Sequence, residues 1–249
     1  MALIGFISDV HANREALEAV LGDAESVRPD IMVSLGDVVG YGPDPVVCLD
    51  LVAAHCDVLI RGNHEDAMLG PEADAHFKPR VLASLQHGRS VLSPGHEMLI
   101  DSMRDRAEIE GVGLTHGSFG PRRYEYLYNI ESAGRALRGF DADIGVVGHT
   151  HIPSIFFSRE RDGEAAQVKA YAIGGASRID LPSDCRIILN PGSVGQPRDR
   201  NPDASWAVLD TTRRTFELRR VAYDVTAVAR RMNELGLPDY HALRLQSGV

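Results

Sequence analysis

The sequence predicts an α/β fold whose first half is built from β-α-β units and whose second half carries antiparallel strands. In the N-terminal part, short apolar runs alternate with helical patterns, which is typical of parallel strands with helices packed outside them. Further along, the apolar runs follow one another closely around turn signals, which indicates antiparallel pairing. The chain has 249 residues and shows no internal repeat or low-complexity linker, so we expect one domain over residues 1–249.

Three buried strands and several helices are predicted in the N-terminal part. The strands are predicted from the apolar runs Leu3–Ile7, Ile31–Leu35 and Val58–Ile60. Between the first two runs, apolar residues recur at helical spacing over residues 16–26. Residues 65 to about 104 have a mostly helical pattern, and Ser93 followed by Pro94 is typical of a helix start within them.

A helix between the second and third strands is indicated by Asp44 and Pro45. An aspartate N-cap followed by proline at the first helical position is a common way to begin a helix. On this helix we expect Val47, Leu51 and Ala54 to share one face. Strand-helix-strand units of this kind place their strands parallel to one another.

The C-terminal half is predicted to contain further strands and one helix. The strands are predicted at Val112–Thr115, Ile144–Val147, Ile155–Ser158, Val168–Ile173, Trp206–Leu209 and Phe216–Leu218. Asp162 and Gly163 form a strong turn signal between the strands Ile155–Ser158 and Val168–Ile173, which indicates a hairpin there. The last helix begins at the N-cap Asp224 and ends near Leu235.

Charge and cysteine content narrow the classes of protein. The chain carries 35 acidic against 26 basic residues, a net charge of −9, which argues against an extended nucleic-acid surface. The thiols Cys48, Cys56 and Cys185 have no CxxC spacing and indicate a reducing compartment. No signal peptide pattern and no run approaching the ~18 apolar residues of a membrane span is present, so we expect a cytoplasmic protein without membrane contact.

Polar side chains collect where the predicted strands end. They are Asp9, His11, Asp37, Asn63, His64, His116, His149 and His151. Because ligands bind at the carboxyl ends of the strands in an open α/β sheet, we expect these side chains to meet at one edge. Oxygen and imidazole donors together suit Mn, Fe or Zn better than Mg or Ca. Each short motif alone is also typical of a capped strand end or a turn, but five of the ten histidines fall at these positions, which favours a metal site.

The ordered set of motifs resembles the calcineurin-like metallophosphoesterase superfamily. The matching blocks are Asp9-x-His11, Gly36-Asp37, Gly62-Asn63-His64-Glu65, His116 before glycine, and Gly148-His149-Thr150-His151. Residues 190–197 further resemble the bacterial and archaeal phosphodiesterase-type branch, although a Gly- and Pro-rich stretch is by itself typical of a structural turn.

The resemblance implies a four-layer α-β-β-α sandwich with two mixed sheets and a site for two divalent transition-metal ions (Mn, Fe or Zn). It implies that one ion is held by Asp9, His11, Asp37 and His151, and the other by Asp37, Asn63, His116 and His149. Two such ions with two carboxylates leave a positive pocket suited to phosphate, and they make hydroxide available for attack on phosphorus. The implied activity is hydrolysis of phosphate mono- or diesters by a metal-bridging hydroxide, with a small-molecule or nucleotide phosphate ester as substrate.

His64 is expected to be catalytic, either by protonating the leaving oxygen or by stabilising phosphoryl charge. Phosphoprotein phosphatases extend the second block with an aspartate that orients this histidine and an arginine that binds phosphate. Gly40 and Tyr41 stand at those two positions, so the aspartate and the arginine are absent. Their absence disfavours a protein phosphatase or a nucleotide-polyphosphate phosphatase, and both functions are kept as alternatives. A metal-binding scaffold without turnover is a third alternative, which the complete set of ligand positions disfavours.

Four further residues are candidates for binding substrate: Tyr41, Arg61, Arg122 and Arg123. Arg61 could add positive charge beside the metals or be a surface arginine before a turn. The segment 117–129 carries the two later arginines and three tyrosines. It could be a substrate loop in which tyrosines stack on a base, or an amphipathic segment that covers the core.

Overall fold

A computed structural model describes residues 2–161 and 164–249 of the chain. The strands are β1 (Leu3–Ile7), β2 (Ile31–Ser34), β3 (Val58–Leu59), β4 (Arg106–Ile109), β5 (Val112–Thr115), β6 (Ile144–Val146), β7 (Ser154–Arg161), β8 (Glu164–Ala172), β9 (Ser177–Asp180), β10 (Arg186–Asn190), β11 (Ala204–Asp210) and β12 (Thr215–Val221). The helices are α1 (Arg14–Val27), α2 (Pro45–His55), α3 (Asn63–Leu69), α4 (Pro79–Val91), α5 (Pro94–Ser102), α6 (Ile130–Leu137), α7 (Val225–Glu234) and α8 (Asp239–Ser247), with a 3₁₀ helix over Pro71–His76.

The strands form two mixed sheets of six strands each. The first sheet has the order β3-β2-β1-β11-β12-β9, in which β1, β2 and β3 are parallel and the remaining pairs are antiparallel. The second sheet has the order β4-β5-β6-β10-β7-β8, with β5, β6 and β10 parallel. The parallel strands predicted in the N-terminal part are therefore confirmed, and so is the antiparallel pairing of β7 with β8. The turn predicted at Asp162-Gly163 lies outside the described residues.

Alternation along the strands produces four layers. In β1, Ile4 and Phe6 face a core shared with Leu114 and Ile187 of the second sheet, whereas Ile7 faces the outer side. That outer side packs against buried residues of α1, α2, α4 and α5. The outer side of the second sheet packs against α6. This arrangement confirms the predicted α-β-β-α sandwich with two mixed sheets.

The buried face of α2 differs from the expected one. Cys48, Leu49 and Val52 are fully buried, whereas Val47 and Leu51 are only half-buried and Ala54 is exposed. Apolar residues surround almost the whole circumference of this helix, so its sequence pattern does not identify the inward side. In the described residues no helix is both long and apolar enough to cross a bilayer.

Candidate metal centre and active site

The predicted strand-end residues converge on one edge of the sandwich, where both sheets end. Several of them adopt left-handed backbone conformations, with φ of 54° at Asp9, 49° at His11, 54° at Asp37, 66° at His149 and 61° at His151. Such angles are costly for residues with a Cβ and cluster at functional sites. The loops are tied together by main-chain hydrogen bonds, including Asp9 N–H to the Gly36 carbonyl at 2.9 Å and His11 N–H to the Asp37 carbonyl at 2.9 Å.

Four histidines each have one ring nitrogen fixed by a backbone carbonyl. Nδ1 of His11, His116 and His151 donates to the carbonyls of Val39 (3.0 Å), Leu35 (2.8 Å) and Gln196 (2.6 Å), and Nε2 of His149 donates to that of Tyr124 (3.1 Å). Because a carbonyl oxygen only accepts, the ring proton lies on the bonded nitrogen. When the ring is neutral, its other nitrogen therefore carries a lone pair, as metal-ligating histidines do.

These free nitrogens face one another in pairs. Nε2 of His11 lies 3.1 Å from Nε2 of His151, and Nε2 of His116 lies 3.2 Å from Nδ1 of His149. Two lone pairs at this distance repel each other unless a proton or a cation lies between them. Two nitrogens bound at about 2.1 Å to one ion stand roughly 3.0–3.4 Å apart, so the spacing fits a shared ion in each pair.

The carboxylates complete two donor clusters. Asp9 Oδ2 accepts from Ser8 Oγ at 2.6 Å and from the His149 backbone N–H at 3.0 Å. Its buried Oδ1 has no hydrogen-bond partner in the described part of the chain and lies 3.2 Å from His151 Nε2. Asp37 Oδ2 lies 3.2 Å from His116 Nε2 and 3.8 Å from His11 Nε2, between the two clusters. Donor atoms of Asp9, His11 and His151 lie within 4.8 Å of one another, as do those of Asp37, His116 and His149.

Asn63 is placed beside this centre with an unused acceptor. Its Oδ1 is buried and has no hydrogen-bond partner among the described residues. A buried amide oxygen without a partner costs free energy, and a cation is one way of satisfying it. The residues present therefore fit divalent metal ions, the kind of cofactor that the family resemblance implies.

Burial and the two carboxylates set the protonation of the cluster. Burial lowers the pKa of His11 and His151 below the ordinary histidine value and lowers that of His149 to about 3, so these rings are neutral near pH 7. At His116, burial is outweighed by the charge and hydrogen bond of Asp37, which raise the pKa to about 9. The same corner thus favours positive charge, whether a proton or a metal ion supplies it.

Glu65 is a buried support of the Asp37 loop that sequence analysis quoted only as part of a motif. Its carboxylate accepts from the backbone N–H groups of Asp37 (2.7 Å), Val38 (2.7 Å), Val39 (3.2 Å) and Gly62 (2.8 Å). Burial and the nearby Asp37 raise its pKa to about 7, while the donated hydrogen bonds favour the carboxylate. Glu65 thereby fixes two of the loops that carry donor atoms, and its place three residues after Gly62 is the only signal for this in the sequence.

His64 lies against the same centre without an orienting carboxylate. Its ring centroid is 4.7 Å from those of His11 and Tyr41 and 4.9 Å from that of Phe77, and burial lowers its pKa to about 4. Its Nδ1 is buried, has no hydrogen-bond partner within residues 2–161 and 164–249, and packs against Gly40. A Cβ at Gly40 would lie 2.9 Å from Cε1 and 3.0 Å from Cγ of this ring. Glycine at this position therefore allows the imidazole to approach the backbone, and ring packing orients it.

A cavity of about 1000 Å³ opens beside the metal centre. Of the predicted substrate-binding residues, Tyr41 and Arg122 line this cavity. Arg61 and Arg123 do not line it; both guanidinium groups form ion pairs with Asp105, at 2.9 and 2.8 Å, and both also lie close to Asp66. In the structure these two arginines hold the segment after β5 against α3.

Segment 117–129 was predicted to be either a substrate loop or a segment that covers the core, and its position agrees in part with each prediction. Phe119 and Leu127 are buried in the core beneath the second sheet, so the segment covers that core. Tyr124 and Tyr126 line the cavity, and the ring of Tyr126 stacks on His149 with centroids 4.0 Å apart. Tyr128 stacks in turn on Tyr126 at 5.1 Å, which gives a row of exposed aromatic rings leading away from the donor clusters.

The loop over residues 190–197 supports the histidine loop. Asn190 Nδ2 donates to the Gly148 carbonyl at 2.7 Å, and Ser193 Oγ donates to the Asp9 carbonyl at 2.8 Å. These contacts agree with the structural role that a Gly- and Pro-rich stretch indicates. Sequence analysis missed other residues of the cavity wall: Arg80, Arg198, Tyr240, His241 and Arg244. The last three lie on α8, whose position could not be inferred from local sequence.

Buried groups of histidine and aspartate that could hold metal ions lie at the edge of an α-β-β-α sandwich. The chain belongs to the calcineurin-like phosphoesterase superfamily, because the domain of that description matches residues 2–214. Members of this superfamily are metal-dependent phosphoester hydrolases. The resemblance found in the strand-end motifs is therefore confirmed.

Comparison with individual proteins agrees with this assignment. The chain is 30% identical over 252 residues to the uncharacterized protein MJ0912 of Methanocaldococcus jannaschii, covering 99% of this chain and 98% of that protein. It is similar to the crystal structure of a metallophosphoesterase from Sphaerobacter thermophilus, with 35% identity, a TM-score of 0.85 and coverage of 99% and 100% of the two chains. The hypothetical protein PH1004 of Pyrococcus horikoshii shares the fold at 17% identity, with a TM-score of 0.78 and coverage of 100% and 99%.

Proposed function

We propose that the protein is a phosphoesterase that uses two divalent transition-metal ions to hydrolyse a small-molecule or nucleotide phosphate ester, most simply a phosphodiester. The observation that carries the proposal is the orientation of His11, His116, His149 and His151. Each has one ring N–H fixed by a backbone carbonyl and the other nitrogen facing a carboxylate-containing cluster. The similarity to a metallophosphoesterase over the whole chain supports the same function.

The residues would divide the work as follows. Asp9, His11, Asp37 and His151 would hold one ion, and Asp37, Asn63, His116 and His149 the other. When bound, the ions supply Lewis acidity, which lowers the pKa of water and neutralises charge on the phosphoryl group. His64 would donate a ring N–H to the leaving oxygen or to a phosphoryl oxygen, held in place by its packing against Gly40 and Tyr41.

The cavity supports a substrate of limited size. Its volume of about 1000 Å³ is in the range of small-molecule sites, and its wall carries tyrosines and arginines rather than an extended basic surface. We infer a partner that is a discrete phosphate ester in an aqueous, cytoplasmic compartment, and neither a nucleic-acid duplex nor a membrane.

A substrate panel tests the proposal. Chelator-treated protein is assayed with Mn²⁺, Fe²⁺ or Zn²⁺ on bis-p-nitrophenyl phosphate, p-nitrophenyl phosphate, a dinucleoside polyphosphate and a phosphopeptide. We expect turnover only after metal is restored, with the diester hydrolysed fastest. Dominant turnover of the phosphopeptide or the dinucleoside polyphosphate would favour the alternative phosphatase functions, and binding of metal without turnover of any ester would favour a scaffold.

A further inference from the structure

One wall of the cavity carries two neighbouring arginines without acidic side-chain partners. Arg198 follows β10 and Arg244 lies on α8, and both line the cavity together with His151. In the described ranges, the guanidinium group of Arg198 contacts Gln196 Oε1 and the Tyr41 hydroxyl, and that of Arg244 contacts Gln196 Oε1 and the main-chain oxygen of Val249. Nε of Arg198 is buried and has no hydrogen-bond partner among the described residues.

Gln196 joins this arginine pair to the metal centre. Its Oε1 accepts from Arg198 at 3.1 Å and lies 3.5 Å from Arg244, while its backbone carbonyl accepts from Nδ1 of His151 at 2.6 Å. The Gln196 side chain is buried, with 2% of the residue exposed. Both guanidinium groups therefore contact the side chain of Gln196, whose backbone carbonyl supports the proposed metal ligand His151.

Among the described residues, no acidic side chain of the cavity wall forms an ion pair with either arginine. Asp66 is engaged by Arg61 and Tyr124, and Glu125 is engaged by Arg135 at 2.7 Å. Burial and the charge of Arg198 lower the pKa of Arg244 below the ordinary arginine value, which is the expected effect of two cations placed side by side. An anion between them would relieve this repulsion.

We propose that Arg198 and Arg244 form an anion subsite that holds a second phosphate group of the substrate, beside the phosphate that reacts at the metal centre. The inference rests on the proposed function, since the second group is defined relative to the ester that is hydrolysed. Guanidinium groups match the oxygens of a phosphate in a bidentate geometry, and the cavity of about 1000 Å³ has room for two phosphate groups. The substrate class is therefore a phosphodiester that carries a second phosphate group.

The first test measures anion binding without metal. The full chain is freed of metal by chelation, its metal content is verified, and inorganic pyrophosphate is titrated by calorimetry. Arg198→Gln and Arg244→Gln should each weaken binding by about tenfold or more, because each removes a charged bidentate donor. Arg213→Gln is the matched control, because it removes the same charge from the turn between β11 and β12, and it should change the affinity less than twofold.

Two results of this titration would overturn the subsite: absence of pyrophosphate binding by the unsubstituted chain, or equal weakening by the Arg213 control. Arg198→Lys keeps the charge but not the fork of donors, and it should bind pyrophosphate more weakly than the unsubstituted chain. Fluorescence of Trp206, the single tryptophan, verifies that each variant is folded. Pyrophosphate binding by the unsubstituted chain can be measured even where a variant fails to fold, and its absence would overturn the proposal.

The second test compares substrates with one and two phosphate groups. With Mn²⁺ restored, Arg198→Gln should raise KM for the dinucleotide pApA, a phosphodiester with a second phosphate group, at least tenfold and KM for bis-p-nitrophenyl phosphate less than threefold. An equal rise for both substrates would overturn the proposal, because it would place the arginine on the reacting phosphate. Turnover that does not depend on either arginine overturns the subsite alone, whereas arginine-dependent pyrophosphate binding without any turnover overturns the proposed function alone.

Discussion

Gly40→Ala tests whether close packing against the backbone positions His64 for catalysis. Gly40 has a φ of +83°, and the added Cβ would stand 2.9 Å from Cε1 and 3.0 Å from Cγ of the imidazole, with Nδ1 closer still. To restore ordinary contact the ring must withdraw by roughly 1 Å, and a misplacement of that size costs about 10²-fold in rate. We therefore expect kcat on an alkyl phosphodiester to fall about 10²-fold with the metal content unchanged.

Gly111→Ala separates this effect from backbone strain. Gly111 has a φ of +74°, but apart from its chain neighbours no atom of the described residues lies within 4 Å of the position that a Cβ would occupy. Both alanines adopt the left-handed conformation at about 1–2 kcal/mol, so both variants should lose unfolding free energy in urea. Only the substitution at Gly40 should reduce kcat, while the one at Gly111 should leave kcat within about twofold of the unsubstituted protein.

A double substitution identifies His64 as the residue through which Gly40 acts. Residues that act as one unit are not additive, so Gly40→Ala combined with His64→Ala should be no slower than His64→Ala alone. Turnover of the Gly40 variant within threefold of the Gly111 variant would refute the reasoning. So would a further 10²-fold loss in the double variant.

Three further substitutions test the metal centre and the fold. Asp37→Asn removes an anionic oxygen from between both clusters, so elemental analysis should find fewer than two ions per chain; two retained ions with normal turnover would contradict the shared-ligand assignment. Glu65→Gln places an amide N–H against backbone N–H groups, which should lower the unfolding free energy by about 2 kcal/mol and weaken metal binding at least tenfold; no change in either titration would remove its supporting role. Hydrogen bonds from Arg219 hold the pKa of Asp23 below its usual value. Compared with the Asp23→Asn variant, the unsubstituted protein should therefore be about 1 kcal/mol more stable above about pH 4, and it should lose this advantage as the pH falls through the folded-state pKa of Asp23. Urea unfolding at several pH values, followed by Trp206 fluorescence, measures this difference, and a pH-independent difference would argue against the ion pair.

The parallel strands of the N-terminal part and the convergence of donor residues could be predicted because both depend on local patterns. The runs ending before Asp9 and Asp37 are almost entirely buried and the run before Asn63 is half-buried, but all three are continuously apolar and their ends are clear. The parallel strand β10 was not predicted, although it is buried. The edge strands β4 and β9 escaped prediction, because they are only half-buried and alternate with charged residues. Helix α8 escaped it because its buried face includes His241, so the apolar spacing is interrupted.

The substrate side of the site could be predicted less well than the metal side. Metal ligands are recognisable because few residue types bind metals, and they occur in short motifs. Arg61 and Arg198 are indistinguishable by type, yet one is bound by Asp105 and the other lies in the cavity wall. This difference depends on contacts between distant parts of the chain, such as that of Gln196 with Arg244, which no local pattern encodes.

The donor atoms come from both sheets: Asp9 and Asp37 follow strands of the first, and His116 and His149 follow strands of the second. The distance between the sheets therefore affects the relative positions of these donors. Phe6 and Leu114 pack between the sheets and set the distance between them. A change in the thickness of that hydrophobic layer shifts the carboxylates relative to the imidazoles, because each set moves with its own sheet. Selection for one metal over another therefore acts on the interior apolar residues as well as on the ligands, and exchanging ligands alone would not transfer a metal preference to a relative with a differently spaced core.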